Sequence, residues 1–219
     1  MWEVPVHVID FEGSRRSGIV EYGIVTLKEG AITQTTTRLC APTGDMHARE
    51  IQQHGITERM AESMEPFSAD WNTFADLRMV GPLCAHNAGF EAALLEAVWA
   101  CPRSSPDFSN PGKSVAEWGP WLDTLQMYRR LYPNLERHNL GDLIEVFNLQ
   151  AALDGYAENY CPLKRRRFHC ALYDALASAC LLLRLLEEPT LKALNLPWLL
   201  RQSAASESTR DAMNQTELL

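Results

Sequence analysis

The stretch Val4-Pro5-Val6-His7-Val8-Ile9-Asp10-Phe11-Glu12 decides the fold. From Val4 to Asp10 it is apolar at nearly every position and rich in β-branched side chains, as a strand buried on both faces should be. Such a strand belongs at the centre of a sheet. The pleat turns residues i and i+2 the same way, so Asp10 and Glu12 put two carboxylates on one side of the strand's end. Like charges that close repel, and the pair is stable near neutral pH if something cationic sits between them. Hard oxygen donors favour magnesium or manganese over zinc. Taken alone, an exposed acidic strand end is the commoner explanation of such a pair.

Working outward, Gly18 to Leu27 and Ala31 to Leu39 are two further β-rich runs joined by Lys28-Glu29-Gly30, where the glycine can supply the positive φ of a hairpin turn. After Pro42 the pattern turns helical, with a short piece at Glu50 to His54 and a longer one at Ser68 to Met79. A short apolar run, Met79 to Ala85, leads into a helix over Ala88 to Ala100 that Pro102 stops. Pro102 to Gly119 has little periodicity and reads as a surface loop. A short strand at Trp121 to Thr124 leads into a helix through Arg130, Leu140 to Phe147 is a further helix, and Ala171 to Leu186 is the longest. Strands first and then alternating helices and strands predict one α/β domain. Its central mixed sheet has three antiparallel strands followed by parallel ones, flanked by helices. The domain is expected over residues 1–188, with 189–219 a C-terminal extension whose polar end is a disordered tail.

Composition narrows the function classes. The 219 residues are about 1.5 times the ordinary single-domain length, and 46 % hydrophobic residues supply a full core. The net charge of −8 argues against a protein that coats nucleic acid electrostatically, without excluding a local basic site. No apolar stretch approaches the roughly 20 residues of a bilayer span, so no membrane crossing is expected. The six cysteines hold no C-x-x-C pair and Met-Trp-Glu-Val-Pro is no leader, which predicts a reduced, cytoplasmic protein with its thiols buried as small hydrophobes.

Two more segments carry polar residues in apolar company. His86-Asn87-Ala88-Gly89-Phe90-Glu91 steps out of an apolar strand straight into a helix, with Glu91 in its first turns. A helix start with acidic residues complementing the macrodipole, and with Asn87 as cap, explains it equally well. His169-Cys170-Ala171-Leu172-Tyr173-Asp174 opens the most apolar helix of the chain. On a continuous helix His169 and Asp174 would stand about 140° apart, so they can meet only if His169 belongs to the entering loop.

Together these segments resemble the DEDDh (DnaQ-like) 3′–5′ exonucleases, which have an RNase H-like fold. The family's D-x-E, H-N-A-x-F-D and H-x-A-x-x-D motifs match Asp10/Glu12, His86 to Glu91 and His169 to Asp174, in order. His54-Gly55-Ile56-Thr57 and Asp123-Thr124-Leu125 also resemble family sequence, and the likeness covers roughly residues 4 to 187. One departure is that Glu91 stands where the family usually has Asp, a D-E-E-D set that keeps the charge but adds a methylene. Because Mg²⁺ insists on near-octahedral geometry, this departure bears on metal preference and turnover.

The resemblance implies a metal-dependent exonuclease that releases nucleoside 5′-monophosphates from the 3′ ends of DNA or RNA, single-stranded or frayed. It implies two divalent ions, Mg²⁺ or Mn²⁺, on Asp10, Glu12, Glu91 and Asp174, with His169 as general base. It also implies loose matches to substrate-holding positions at Phe11, Gly13, Ser14, Ile56, Thr57 and Met60, with Phe11 and Ile56 equally readable as core, and contacts from His86 and Asn87. Lys164-Arg165-Arg166-Arg167, the one dense basic run, precedes the histidine. It reads either as a solvated loop or as a phosphate grip through Arg165, Arg166 and Arg167. The alternative function is a non-catalytic nucleic-acid-binding or polymerase-accessory module on the same fold. Trp198, Leu199 and Leu200 leave open docking on the domain or a homodimer contact.

Overall fold

The structure, a computed structural model, describes residues 4–187 and 195–204. β1 (Val6–Ser14), β2 (Gly18–Lys28) and β3 (Ala31–Leu39) open the chain as an antiparallel meander. The hairpin between the last two turns on Glu29 and Gly30, both with positive φ. Then come α1 (Ala48–His54), α2 (Glu58–Ala61), a 3-10 turn at Phe67–Asp70, α3 (Trp71–Val80), β4 (Leu83–Ala85) and α4 (Ala88–Val98). A two-residue strand pair, β5 (Ser105–Pro106) and β6 (Ser114–Val115), precedes β7 (Leu122–Asp123) and α5 (Thr124–Leu131). The chain continues through α6 (Leu140–Val146), α7 (Gln150–Tyr160), a 3-10 turn at Leu163–Arg165, α8 (Ala171–Glu187) and α9 (Leu196–Ser203).

The main sheet has the order β3-β2-β1-β4-β7, so the strand with the apolar signature is the central one. β4 pairs parallel to β1 and β7 parallel to β4. Alternation along β1 separates two cores. Val6 and Val8 pack in the larger one with α8, whose Leu172, Leu176 and Leu181 are buried. Ile9 and Phe11 face the other layer, among Tyr22, Phe67, Phe74 and Leu94. α8 lies so close to β2 that a Cβ on Gly23 would fall 2.4 Å from the backbone of Ala171 and Leu172, which is why that position is a glycine.

One reading needs correction, one element went unread, and one open alternative is filled in. The 102–119 segment is not a free surface loop: Trp118 is buried, and the buried Arg78 guanidinium donates to the carbonyls of Pro106, Trp118 and Gly119 at 2.8, 3.2 and 2.6 Å. One buried arginine thus supplies the order that periodicity could not signal. α7 went unpredicted because it buries only Leu153 and Ala157, too few apolar positions to show a period. Finally, part of the C-terminal extension is built into the domain. Leu199 and Leu200 are buried in the larger core, and Ser203 Oγ accepts the Asp123 N–H at 2.8 Å. Packing on the domain therefore occupies the two leucines that had left a dimer contact open. The predicted tail after 204 lies outside the described residues.

All six cysteines are free and all but Cys101 are buried. Among the described residues no helix is long and apolar enough to cross a membrane.

Candidate active site

β1, β4 and β7 run in the same direction, and the polar segments gather beyond their carboxyl ends, where open α/β sheets place their ligand crevices. Asp10 and Glu12 come from the end of β1, Glu91 from the first turn of the helix after β4, and Asp174 from the first turn of α8. A register shift between Glu12 and Gly13 interrupts regular pairing at this point, and bulges of this kind re-aim side chains beside sites. Gly13 sits at φ 128°, and a Cβ there would meet the Gly18 carbonyl oxygen at 2.1 Å.

The four carboxylates converge. One ligand atom each from Glu12, His169 and Asp174 lies within 4.8 Å of the others, so these three could hold a metal ion. Glu91 is buried and its Oε2 accepts the Phe11 N–H at 3.1 Å, bringing the fourth acid to the backbone between Asp10 and Glu12. Asp174 Oδ2 accepts the His169 N–H at 3.0 Å, while its Oδ1 is buried with no partner.

Electrostatics follow from this crowding. Burial, and then the charges of Asp174, Glu91 and Glu12, push Asp10 well above the usual carboxylate range. Burial and the Asp174 charge raise Glu12 to about 8, burial raises Asp174 to about 7, and burial with the Glu12 charge raises Glu91. Four acids that resist ionising together, one with an orphaned buried oxygen, are a donor set that fits hard divalent cations.

His169 stands outside α8, at φ 62°, as the spacing required. From there its backbone reaches Asp174 while its ring Nδ1 meets the Gln53 side-chain amide at 3.1 Å. Burial and then the Arg167 charge lower its pKa, so the ring is neutral near pH 7. His86 is a different histidine. Its Nε2 donates to the His138 carbonyl at 3.0 Å and its Nδ1 accepts from Thr124 Oγ1 at 2.9 Å, which commits both nitrogens, and burial lowers its pKa to about 4.

Several supporting residues had no role assigned from the sequence. Glu21, opposite Glu12 on β2, accepts the Ala171 N–H at 2.9 Å and is gripped by Arg165, so a carboxylate from the sheet caps the helix that carries Asp174. Asp123 accepts from the backbone N–H groups of Asn87, Ala88 and Gln126, fixing the turn that launches Glu91 and the start of α5 together. The cap expected of Asn87 is therefore made by Asp123, since the Asn87 side chain, at φ 72°, makes no cap bond. Gln53 and Arg129 also line the cleft. Glu21 and Gln53 act on residues distant in sequence, so nothing local marks them, whereas Asp123 stands in the Asp123-Thr124-Leu125 run and caps α5 locally through Gln126.

The cleft, of about 510 Å³, is lined by Asp10, Glu12, Gly13, His86, Asn87, His169 and Asp174 among the predicted residues, with Phe11 also on its wall. The other expected contacts fare differently. Ile56 is fully buried beside Val20 and Met46, and the Phe11 ring is in edge contact with that of Phe67 although the residue also lines the cleft. Ser14 bonds Ser17 in a turn, and Thr57 and Met60 are exposed around the start of α2. The basic run, read as either a solvated loop or a phosphate grip, is engaged with the protein itself. Arg165 pairs with Glu21 and donates to the His54 carbonyl, Arg166 donates to the Cys161 and Glu158 carbonyls, and Arg167 donates to those of Gln53, His54 and Phe168. These arginines fasten the histidine loop to α1, β2 and the end of α7.

A protein-family model described as Exonuclease (RNase_T) matches residues 8–182. Among curated proteins, the DNA polymerase III PolC-type of Halalkalibacterium halodurans is 28 % identical over 172 residues, which is 78 % of this chain and 10 % of the relative. That of Bacillus subtilis is 26 % identical over 176 residues, 80 % of this chain and 11 % of the relative. The chain thus spans about a tenth of the length of these relatives. Among solved structures, Exonuclease X in complex with 5′ overhanging duplex DNA superposes with a TM-score of 0.65 at 22 % identity, covering 91 % of this chain and 99 % of that one. The nuclease domain of 3′hExo, a DEDDh family member bound to rAMP, superposes with a TM-score of 0.58 at 16 % identity, covering 85 % and 94 %. These likenesses bear out the RNase H-like fold.

Proposed function

The chain belongs to the exonuclease family of the DnaQ-like, DEDDh kind, and on that premise we propose that it removes nucleoside 5′-monophosphates one at a time from the 3′ ends of DNA or RNA. What supports this reading is the crowding of Glu12, Asp174 and Glu91, whose charges all act on Asp10, at the carboxyl ends of the parallel strands, with Asp174 Oδ1 buried and unpartnered. Two divalent cations, magnesium or manganese, would be held by these four carboxylates and would supply charge stabilisation at the scissile phosphate.

The chain's own groups do the rest. His169 accepts a proton from the attacking water, and its lowered pKa keeps the ring neutral for that task at neutral pH, while the Gln53 amide holds the ring through Nδ1. The His169 N–H on Asp174 Oδ2 ties base and carboxylate to one rigid helix start, which limits the rotations needed to reach the reactive geometry. Glu91 in the second motif keeps the acid, and its bond to the Phe11 N–H spends one oxygen on the backbone while the other remains for the cluster.

The test is a side-by-side digestion of single-stranded DNA, duplex DNA and RNA, each labelled at the 5′ or the 3′ end, with Mg²⁺ or Mn²⁺ and with chelator. Immediate release of labelled mononucleotide from the 3′ end, abolished by chelator and by blocking the 3′ hydroxyl, is the expected result. Tight binding of the same oligonucleotides without cleavage would instead establish the non-catalytic module.

A further inference from the structure

A strand whose last nucleotide sits over four carboxylates needs a cation for the phosphates that follow, and the basic run is already engaged with the protein. Arg165, Arg166 and Arg167 are spent on Glu21 and on main-chain carbonyls, including Arg167, whose charge is otherwise felt by Glu12 and Asp174. Among the described residues lining the cleft only one is an arginine or lysine, Arg129 on α5. It is exposed and makes no ion pair among the described residues. Its neighbour Arg130 points elsewhere, donating to the carbonyls of Gln202 and Ala204 at the end of α9. Helical spacing explains the split: Arg129 shares a face with Leu125, four residues earlier, and Leu125 lines the cleft as well.

We infer that Arg129 grips a backbone phosphate of the bound strand on the 5′ side of the scissile one, and so sets the affinity for a nucleic-acid chain without taking part in bond breaking. The inference rests on the exonuclease reading of the site. A guanidinium reads phosphate and not sugar, so the contact serves DNA and RNA alike. It also reconciles an acidic protein with a polyanionic substrate, since one uncommitted cation beside the carboxylates is the counter-charge the strand meets on leaving the cleft.

The experiment compares the full-length wild type with Arg129→Ala and Arg129→Lys on single-stranded DNA, on RNA, and on the p-nitrophenyl ester of a nucleoside 5′-monophosphate, which has one phosphodiester and no upstream phosphate. For Arg129→Ala on either oligonucleotide, KM should rise about ten-fold with kcat within about two-fold, and the salt dependence of kcat/KM should flatten by about one unit of slope. The aryl ester should be hydrolysed at the wild-type rate, and Arg129→Lys should restore most of the slope. An unchanged KM and slope in Arg129→Ala, or an equal loss on the oligonucleotide and the aryl ester, would overturn the assignment. A wild type inactive on all three substrates would instead sink the exonuclease reading, and this inference with it.

Discussion

On the side of β1 that faces α8, Val6 and Val8 are followed after two residues by Asp10 and Glu12, and the two halves of that one face behave in opposite ways. The first half buries methyl groups against Leu172 and Leu176 and helps hold the sheet to its helix. The second half buries carboxylates against Asp174, with burial and mutual repulsion driving their proton affinities up. Dense apolar packing in one half makes the charge crowding of the other tolerable. A fold that merely needed stability would have continued the valines.

Substitutions should separate the halves cleanly. Asp174→Asn and His169→Ala are expected to cut mononucleotide release at least about a hundred-fold while leaving the unfolding midpoint near or above the wild-type value. Val8→Ala should do the reverse, losing about 2 kcal/mol in denaturant titration with kcat little changed. Loss of activity through Val8 but not through Asp174 would break the contrast.

The next effect is on pH. Glu12 and Asp174 hold protons more tightly in the folded chain than their ordinary values of 4.5 and 3.8 allow, at about 8 and about 7. Because the folded state binds more protons, their contribution is most favourable below about pH 4 and is lost as pH rises through 8. The melting temperature of metal-free protein should therefore fall between pH 5 and 8. Mg²⁺ or Mn²⁺ should recover it at pH 8 far more than at pH 5, and chelator should reverse the gain. A flat melting profile would mean that the acids are not crowded.

Smaller still is Glu91→Asp, which shortens the arm that reaches the Phe11 N–H. About 1 kcal/mol of stability should be lost, and the ratio of Mg²⁺- to Mn²⁺-supported rates should change. The smallest is Gln53→Ala, which frees the His169 ring. A several-fold drop in kcat with KM unchanged is expected, and Gln53→Glu, which has no N–H to give the ring, should not restore it.

How far the sequence was legible follows the range of each interaction. β1, the hairpin through Gly30 and α8 were readable because their signals are local: β-branched runs, a turn glycine, an apolar helix. The carboxylates were readable because motif order ties them to those elements, and even the loop position of His169 followed from helical spacing to Asp174. The failures are contacts between distant segments. Arg165 looked like a phosphate ligand until Glu21, 144 residues away, was seen to claim it. Trp118 and Arg78 order a stretch with no period, and the Phe11 N–H is claimed by Glu91, 80 residues away. Gln53 and Arg129 matter only because α1 and α5 meet the same cleft.

The central claim, that Asp10, Glu12, Glu91 and Asp174 together form a divalent-cation site, is met most directly by calorimetric titration of Mn²⁺ into metal-free protein. Wild type should bind saturably with stoichiometry above one, and Asp10→Asn and Asp174→Asn should each abolish or weaken binding by at least about ten-fold. Equal binding by wild type and both variants, or none by the wild type, would contradict it.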